Sequence, residues 1–361
     1  MGRARELAER GRYTAAPNPL VGAVISLGGR VIGEGWHERA GGDHAEVSAL
    51  KSCKTTPRGA TMYVSLEPCN HHGRTPPCTE TIIQAGIGRV VVGHLDPNPS
   101  MRGRSVEVLR EAGIEVEVLE ESSFERQNER FFHRMRTGLP FVHLKLAATL
   151  DGRIAASGGD SKWITGEKAR LRAHLLRAEA GAVLVGATTA TTDDPLLTAR
   201  GVPGEPPRTT RVVLDPHLKL GPRSRLLMTA DESPVIIFTT EEAGDDRGQS
   251  LERAGAEVIS VPATNEGLDL SIVLEELARR DISGVLVEGG GETARRFVER
   301  GLVNKLTLFY APKLLGSNGV PMMGALEVSR VAEAPKFSVD NLEMVGDDVA
   351  VTLYPREPGR R

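Results

Sequence analysis

The sequence predicts two successive α/β domains, the first a three-layer arrangement of helices about a sheet. Three observations carry this expectation. The length of 361 residues exceeds the usual size of one domain. Short apolar strands alternate with amphipathic stretches in both halves. A charged helical stretch then stops at Thr137-Gly138-Leu139-Pro140, and a fresh strand opens at once. The boundary is placed near residue 139, giving domains 1–139 and 140–361.

Taken in order, Leu20–Leu27 reads as a strand and Gly28-Gly29 as its hairpin turn into Val31–Trp36. His44–Cys53 carries the apolar spacing of a helix. Thr61–Leu66 is a strand, Pro77–Ala85 a helix and Arg89–Gly93 a buried strand. Val106–Ala112 and Ile114–Leu119 add a helix and a strand, and Ser123–Arg136 reads as one helix. The second half has strands near Phe141–Ala148, Ala182–Gly186, Thr210–Leu214, Val235–Thr239, Glu257–Val261, Gly284–Glu288 and Lys305–Ala311. Arg200–Arg208, rich in Gly and Pro, is a loop. There is no internal repeat and no low-complexity tract.

Composition narrows the class. A net charge of −3 with 4% aromatic residues gives no basic or aromatic groove for nucleic acid, and no general attraction to anionic membrane. The apolar runs are too short to span a bilayer, and Met1–Glu6 leads into a charged stretch unlike a signal peptide. Three cysteines suit a reducing compartment, so a cytoplasmic protein is expected.

The sharpest chemical signal is His44-Ala45-Glu46 followed by Pro68-Cys69 and, nine positions on, Cys78. One imidazole and two thiolates fill three corners of a zinc tetrahedron, and an open fourth corner marks a catalytic site. Zinc lowers the pKa of its water from about 16 to about 7. Glu46, close to the metal without binding it, has the position of a proton shuttle. Pro76 and Pro77 suit a helix start, which places Cys78 at a positive helix end that favours a thiolate. His71 or His72 could replace a ligand, although their closeness to Cys69 would strain the chelate. Cys53 reads as a small packing residue. A zinc module that only staples the fold would need a fourth protein ligand, for which only the insert histidines are available.

In the second half, Val285–Glu288 runs into Gly289-Gly290-Gly291-Glu292-Thr293 and then a helix. Such a turn offers bare N–H groups to a dinucleotide phosphate. It lacks the GxGxxG spacing and, read from sequence, a βαβ context, so a plain strand–helix turn is equally compatible. Arg177 and Arg200 alone read as surface charges, and Trp163 as core.

His-Ala-Glu followed by Glu67-Pro68-Cys69 resembles the cytidine-deaminase-like superfamily. The eight residues between Cys69 and Cys78, with Pro17-Asn18-Pro19-Leu20-Val21-Gly22 upstream, resemble the deaminase half of the bifunctional riboflavin-biosynthesis deaminase–reductases. Lys145–Arg153, Ser161–Thr165, Asp193–Thr198 with Arg200, Glu288–Gly291 and Ala311–Gly316 resemble the reductase half. The resemblance implies a cytidine-deaminase-like domain followed by a dihydrofolate-reductase-like domain that uses NADPH. It implies substrate contacts at Asn18, His71 and Arg74 in the first domain. In the second it implies 5′-phosphate contacts at Arg177 and Arg200, and ribose contacts at Asp193 and Glu288. Ser161 and Leu197 also belong to this substrate set, with Lys145 beside the reacting sugar carbon. Ala147, Trp163, Thr189, Asp193 and Gly289–Gly291 would line the NADPH groove. The implied substrate is a phosphoribosyl pyrimidine, with deamination preceding reduction of ribosyl to ribityl, and a homo-oligomer is expected. The alternative is a nucleic-acid or nucleoside deaminase with an accessory domain. Two departures stand out: the chain starts close to its first helix, and Asn304 stands where an acidic residue is common in the family.

Overall fold

The computed structural model describes residues 1–72, 76–203 and 208–356. The chain divides into two compact units that part between Leu139 and Pro140. In the first, a five-stranded sheet has the order Arg30–Trp36, Gly22–Leu27, Thr61–Val64, Arg89–Val92, Glu115–Val118. The first three strands pair antiparallel and the last three parallel. Gly28 and Gly29, at φ +58° and +78°, form the tight turn of the opening hairpin.

Alternation along Gly22–Leu27 separates the layers. Ala23 and Ile25 join Ala45, Ala49, Ile82 and Leu109 in one core, with helices Ala45–Lys51, Cys78–Ala85 and Arg104–Glu111 on that face. Val24 points the other way, onto Ala4 and Leu7 of the helix Gly2–Ala8. Helix Ala45–Lys51 lies directly on a strand backbone. A Cβ on Gly35 would stand 2.3 Å from the Ala49 nitrogen, so only glycine admits this approach. That contact fixes the helix whose first turn carries His44 and Glu46.

The single helix expected over Ser123–Arg136 is two, Ser122–Gln127 and Glu129–Thr137. The break at Asn128 has a cause the sequence hides. The Asn128 amide reaches 108 positions back, accepting from the Leu20 N–H at 2.7 Å and donating to the Leu20 carbonyl at 3.0 Å.

The second unit holds a nine-stranded sheet. Seven strands run parallel, in the order Ala256–Ser260, Val235–Thr239, Thr210–Leu214, Ala182–Gly186, Gly284–Glu288, Phe141–Thr149, Lys305–Ala311. The antiparallel strands Asp348–Pro355 and Phe337–Val345 complete it. Apolar clusters cover both faces, as buried parallel strands require. This hairpin was not among the expected strands. Its outer strand carries an irregularity between Val339 and Asn341, which disrupts the period-two pattern. Asn304 bridges strands, its Oδ1 accepting from the Val142 N–H at 2.7 Å and its N–H donating to the Val142 carbonyl.

One expectation is overturned. Gly284–Glu288, helix Gly291–Glu299 and Lys305–Ala311 form a βαβ crossover, with the parallel strand Phe141–Thr149 between its two strands. The context missing from the sequence reading of the Gly289–Gly291 turn is therefore present. Sequence spacing could not show it, because the intervening strand comes from more than 130 residues earlier. Among the described residues, no helix is long and apolar enough to cross a membrane.

Candidate functional site

In the first unit, His44, Cys69 and Cys78 present Nδ1 and two Sγ atoms within 4.8 Å of one another. His44 is the N-cap of helix Ala45–Lys51, and Cys78 is the first residue of helix Cys78–Ala85. Two helix starts thus converge on one point. His44 Nδ1 lies 3.2 Å from Cys78 Sγ and 3.4 Å from Cys69 Sγ, and the Cys78 N–H donates to Cys69 Sγ at 3.3 Å. Tetrahedral zinc with bonds of about 2.0–2.3 Å sets neighbouring donors about 3.5 Å apart, so the three residues fit that ion. Cys78 and His44 hold the Cys69 thiol well below its usual range, at about 4, as a thiolate ligand needs.

No fourth protein donor joins this group among the described residues. His71 and His72 are exposed, and His72 faces Glu80 at 3.6 Å. The alternative in which an insert histidine replaces a cysteine therefore finds no support. Arg74 lies outside the described residues. Cys53 packs beside the core, with its thiol donating to the Ala49 carbonyl.

Glu46 is 3% exposed beside the cluster. Burial, followed by the Cys69 thiolate, pushes its carboxyl up to about 7. A carboxyl poised there can take and return a proton at neutral pH. Two further groups escaped the sequence reading. His37 is buried, its ring 5.5 Å from the His44 ring. Its Nδ1 donates to the Asp43 carbonyl at 2.9 Å, which leaves Nε2 to accept from Asn18 Nδ2 at 3.0 Å. Glu67 is a buried clamp: its carboxylate accepts from the N–H groups of Asp96, Gly103 and Ser105 and from the Ser105 hydroxyl. It orders the Asp96–Ser105 loop, so its place beside Pro68 and Cys69 is explained by architecture. A lone His and a lone Glu carry no spacing signal that would have revealed either role.

In the second unit, a cavity of about 1030 Å³ opens at the C-terminal ends of the parallel strands. Lys145, Ala147, Ser161, Trp163, Arg177, Thr189, Asp193, Leu197, Arg200, Glu288 and Gly289–Gly291 all line it. Residues spread over nearly 150 positions thus meet in one space. Gly289 has φ +105°, and a Cβ there would come 2.7 Å from Thr189 Oγ1, which accepts from the Gly290 N–H at 3.2 Å. Ser161 Oγ donates to Asp193 Oδ1 at 3.4 Å. Leu197 is buried, with its backbone in the left-handed region at φ +54°.

Trp163 read in isolation as core, yet it is 65% exposed. The Arg170 guanidinium sits 4.5 Å above its ring, and Lys313 Nζ donates to the carbonyls of Trp163 and Ile164. The side chain is a supported platform on the cavity wall.

Arg177 and Glu288 are not the independent contacts expected. Arg177 Nε and Nη2 donate to the two Glu288 carboxylate oxygens at 2.7 and 2.8 Å, and Nη1 donates to the Thr198 carbonyl at 3.3 Å. Burial would raise the Glu288 carboxyl, but Arg177, aided by Lys145, outweighs it and holds the group down to about 2. Three of the five guanidinium donors are engaged, and the charge of Arg177 is already neutralised. Burial lowers the pKa of Lys145, with Glu288 opposing the shift. Arg200 is exposed on the cavity wall and makes no ion pair among the described residues.

Comparison with known proteins follows the same division. Residues 1–94 match the cytidine and deoxycytidylate deaminase zinc-binding region, and residues 140–351 match the RibD C-terminal domain. The riboflavin biosynthesis protein RibD of Aquifex aeolicus is 42% identical over 96% of this chain and 95% of its own length. That of Escherichia coli is 41% identical over 98% of each. Among solved structures, Acinetobacter baumannii RibD is similar with a TM-score of 0.89 at 36% identity, covering 99% of this chain and 98% of that one. A Thermotoga maritima diaminohydroxyphosphoribosylaminopyrimidine deaminase/5-amino-6-(5-phosphoribosylamino)uracil reductase gives a TM-score of 0.86 at 40% identity, covering 99% and 97%.

Proposed function

The chain belongs to the RibD family of riboflavin biosynthesis, and on that premise we propose which residues perform each of its two reactions. It is a bifunctional enzyme, a zinc-dependent deaminase and an NADPH-dependent reductase. We assign the deaminase to 1–139 and the reductase to 140–361. The first substrate is 2,5-diamino-6-ribosylamino-4(3H)-pyrimidinone 5′-phosphate. The second is the deaminated product, 5-amino-6-(5-phosphoribosylamino)uracil, whose ribosyl group becomes ribityl. The observation that carries the reading is the His44–Cys69–Cys78 group, with no fourth protein donor among the described residues and a buried Glu46 beside it.

Zinc at this site supplies the Lewis acidity that makes water nucleophilic at neutral pH. Glu46, buried beside the three ligands, would hold the proton given up by the attacking water and pass it to the departing amine. Its raised pKa suits both directions of transfer. His37, fixed through Nδ1, orients the Asn18 amide so that its Oδ1 is left for the substrate. His71 and Arg74 are assigned to substrate contact by family resemblance.

In the reductase, NADPH is the electron donor to the sugar carbon. Lys145 lies beside that carbon, where burial eases its loss of a proton. Glu288, ionised and fixed by Arg177, accepts from a sugar hydroxyl, and the Ser161–Asp193 pair lines the same cavity. Arg200 supplies the unneutralised charge for the 5′-phosphate, and Arg177 adds its two spare N–H groups. Ala147, Trp163, Thr189 and Gly289–Gly291 form the cofactor wall.

A homo-oligomer is supported by one exposed sheet face. The irregularity at Asp340 keeps Val339 in step with Leu342 and Met344, and all three are more than 60% exposed. A second copy would cover them, which light scattering of the native chain against Leu342→Glu tests. Three free cysteines, two of them in the metal group, support a reducing cytoplasm. For function, the chain is incubated with the diaminopyrimidine nucleotide and NADPH. Ammonia should appear and the cofactor absorbance should fall; ammonia without cofactor oxidation would remove the reductase assignment.

A further inference from the structure

Residues 194–200 carry two of the substrate contacts assigned above, Leu197 and Arg200, yet they belong to no helix or strand. Their backbone is tied instead to side chains from three other elements. The Asp194 carbonyl accepts from Arg225 Nη1 at 3.4 Å, and the Leu196 carbonyl accepts from Arg211 Nη1 at 3.4 Å. At the end that bears Arg200 the tie is His174. Its Nδ1 lies 3.0 Å from the Thr198 carbonyl oxygen and 3.3 Å from the Arg200 backbone nitrogen. Resting on the assignment of Arg200 to the substrate's 5′-phosphate, we infer that His174 is a positioning residue of the reductase. It holds the Thr198–Arg200 backbone where the Arg200 guanidinium meets the phosphate.

The two neighbours of Nδ1 make opposite demands. The Thr198 carbonyl accepts from an Nδ1 that carries a proton, whereas the Arg200 N–H donates to one that does not. A neutral imidazole protonates one nitrogen, so each tautomer keeps one bond to the segment and neither releases it. The surroundings favour that neutral form. Burial and then the Arg177 guanidinium lower the pKa of His174; Arg200 adds to this, while the Thr198 carbonyl and Glu288 oppose it. The ring therefore staples the segment and leaves the anion to Arg200.

Helix Glu167–Glu179 gives the staple a rigid base. Ala169, Ala173 and Leu176 bury one side of it. His174 and Arg177, three positions apart, are neighbours on its surface. Arg177 donates to the same Thr198 carbonyl at 3.3 Å while its other donors hold Glu288. Helix, segment and strand Gly284–Glu288 are thereby linked at one point. Arg200 is exposed and has no ion pair among the described residues, so the reach of its side chain depends on where its backbone is held. A fixed starting point lowers the entropy lost when a long, flexible cation closes on a phosphate.

Steady-state kinetics of the full chain with the pre-deaminated nucleotide and NADPH test the inference. The variants are His174→Ala, His174→Asn, Arg200→Ala and the His174→Ala/Arg200→Ala double variant. His174→Ala should raise the nucleotide KM about ten-fold with kcat near native, and calorimetric NADPH affinity should not move. His174→Asn places an amide nitrogen where Nδ1 stood, so KM should return to within about three-fold of native. In the Arg200→Ala background, His174→Ala should add no further rise, because it acts through Arg200. Effects that multiply in the double variant, loss of kcat at native KM, or an Asn variant as impaired as the Ala variant overturns the inference. If His174→Ala also loses NADPH binding, His174 serves the fold at large and the inference fails. A native KM in Arg200→Ala would instead overturn the phosphate reading on which it rests.

Discussion

The two sites of this chain are built in opposite ways. The metal group draws three donors from a stretch of 35 residues, and two of them are set by helix starts. The reductase cavity collects single side chains from the ends of several parallel strands and from the loops and helices after them, spread from Lys145 to Val320. The first site depends on donor chemistry, so each ligand is indispensable. The second depends on distributed hydrogen bonds and charges, so single losses should be graded. The expected effects below follow that contrast.

The largest effect belongs to Cys78→Ser. Purified native chain should carry about one zinc per chain, and the variant should lose most of it together with deamination. Metal analysis checks this, and full zinc retention would remove Cys78 from the ligand set. Glu46→Gln comes next. It keeps the side-chain shape and the zinc but removes the proton carrier, so ammonia release should fall about two orders of magnitude or more. Reduction of pre-deaminated substrate should persist in both variants.

Arg177→Ala tests the buried pair in the other unit. Removing one partner leaves the Glu288 carboxylate uncompensated, at a cost of about 3–5 kcal/mol. Denaturant unfolding should show that loss, and a stability equal to native would mean that the pair is absent in solution. The same pair predicts a pH signature. The folded pKa of Glu288, about 2, lies below its ordinary 4.5. Its contribution is therefore full above about 4.5 and is lost as pH falls through 2. Arg177→Ala should remove this part of the acid profile. Arg200→Ala should be mildest for the fold. It loses a charge-assisted contact, so the reductase KM should rise about ten- to a hundred-fold with deamination unaffected. An unchanged KM would move the phosphate away from Arg200.

This contrast also governs how much could be read in advance. The metal residues and Glu46 were legible because zinc chemistry constrains residue type and short spacing together. The expected strands from Leu20–Leu27 to Lys305–Ala311 correspond to observed ones because their apolar runs are buried on one or both faces. The hairpin at Phe337–Pro355 was not legible, since a bulge breaks its alternation and its outer strand is exposed. The division of Ser122–Thr137 into two helices rests on an Asn128–Leu20 contact between residues 108 positions apart. Family resemblance implies separate substrate contacts for Arg177 and Glu288, but it does not present them as partners. Nothing local couples residues 111 positions apart, and only the strand order brings them together.

The central claim is that one chain carries two separable chemistries, with proton transfer at Glu46 in one and phosphate recognition at Arg200 in the other. A paired assay of Glu46→Gln and Arg200→Ala tests it most directly. Ammonia release is followed with the diaminopyrimidine nucleotide, and cofactor oxidation with the pre-deaminated nucleotide. The account predicts a crossed result: Glu46→Gln loses ammonia release and keeps cofactor oxidation, whereas Arg200→Ala keeps ammonia release and raises only the reductase KM. Loss of both activities in either variant, in chains that retain native zinc content and folding, would contradict it.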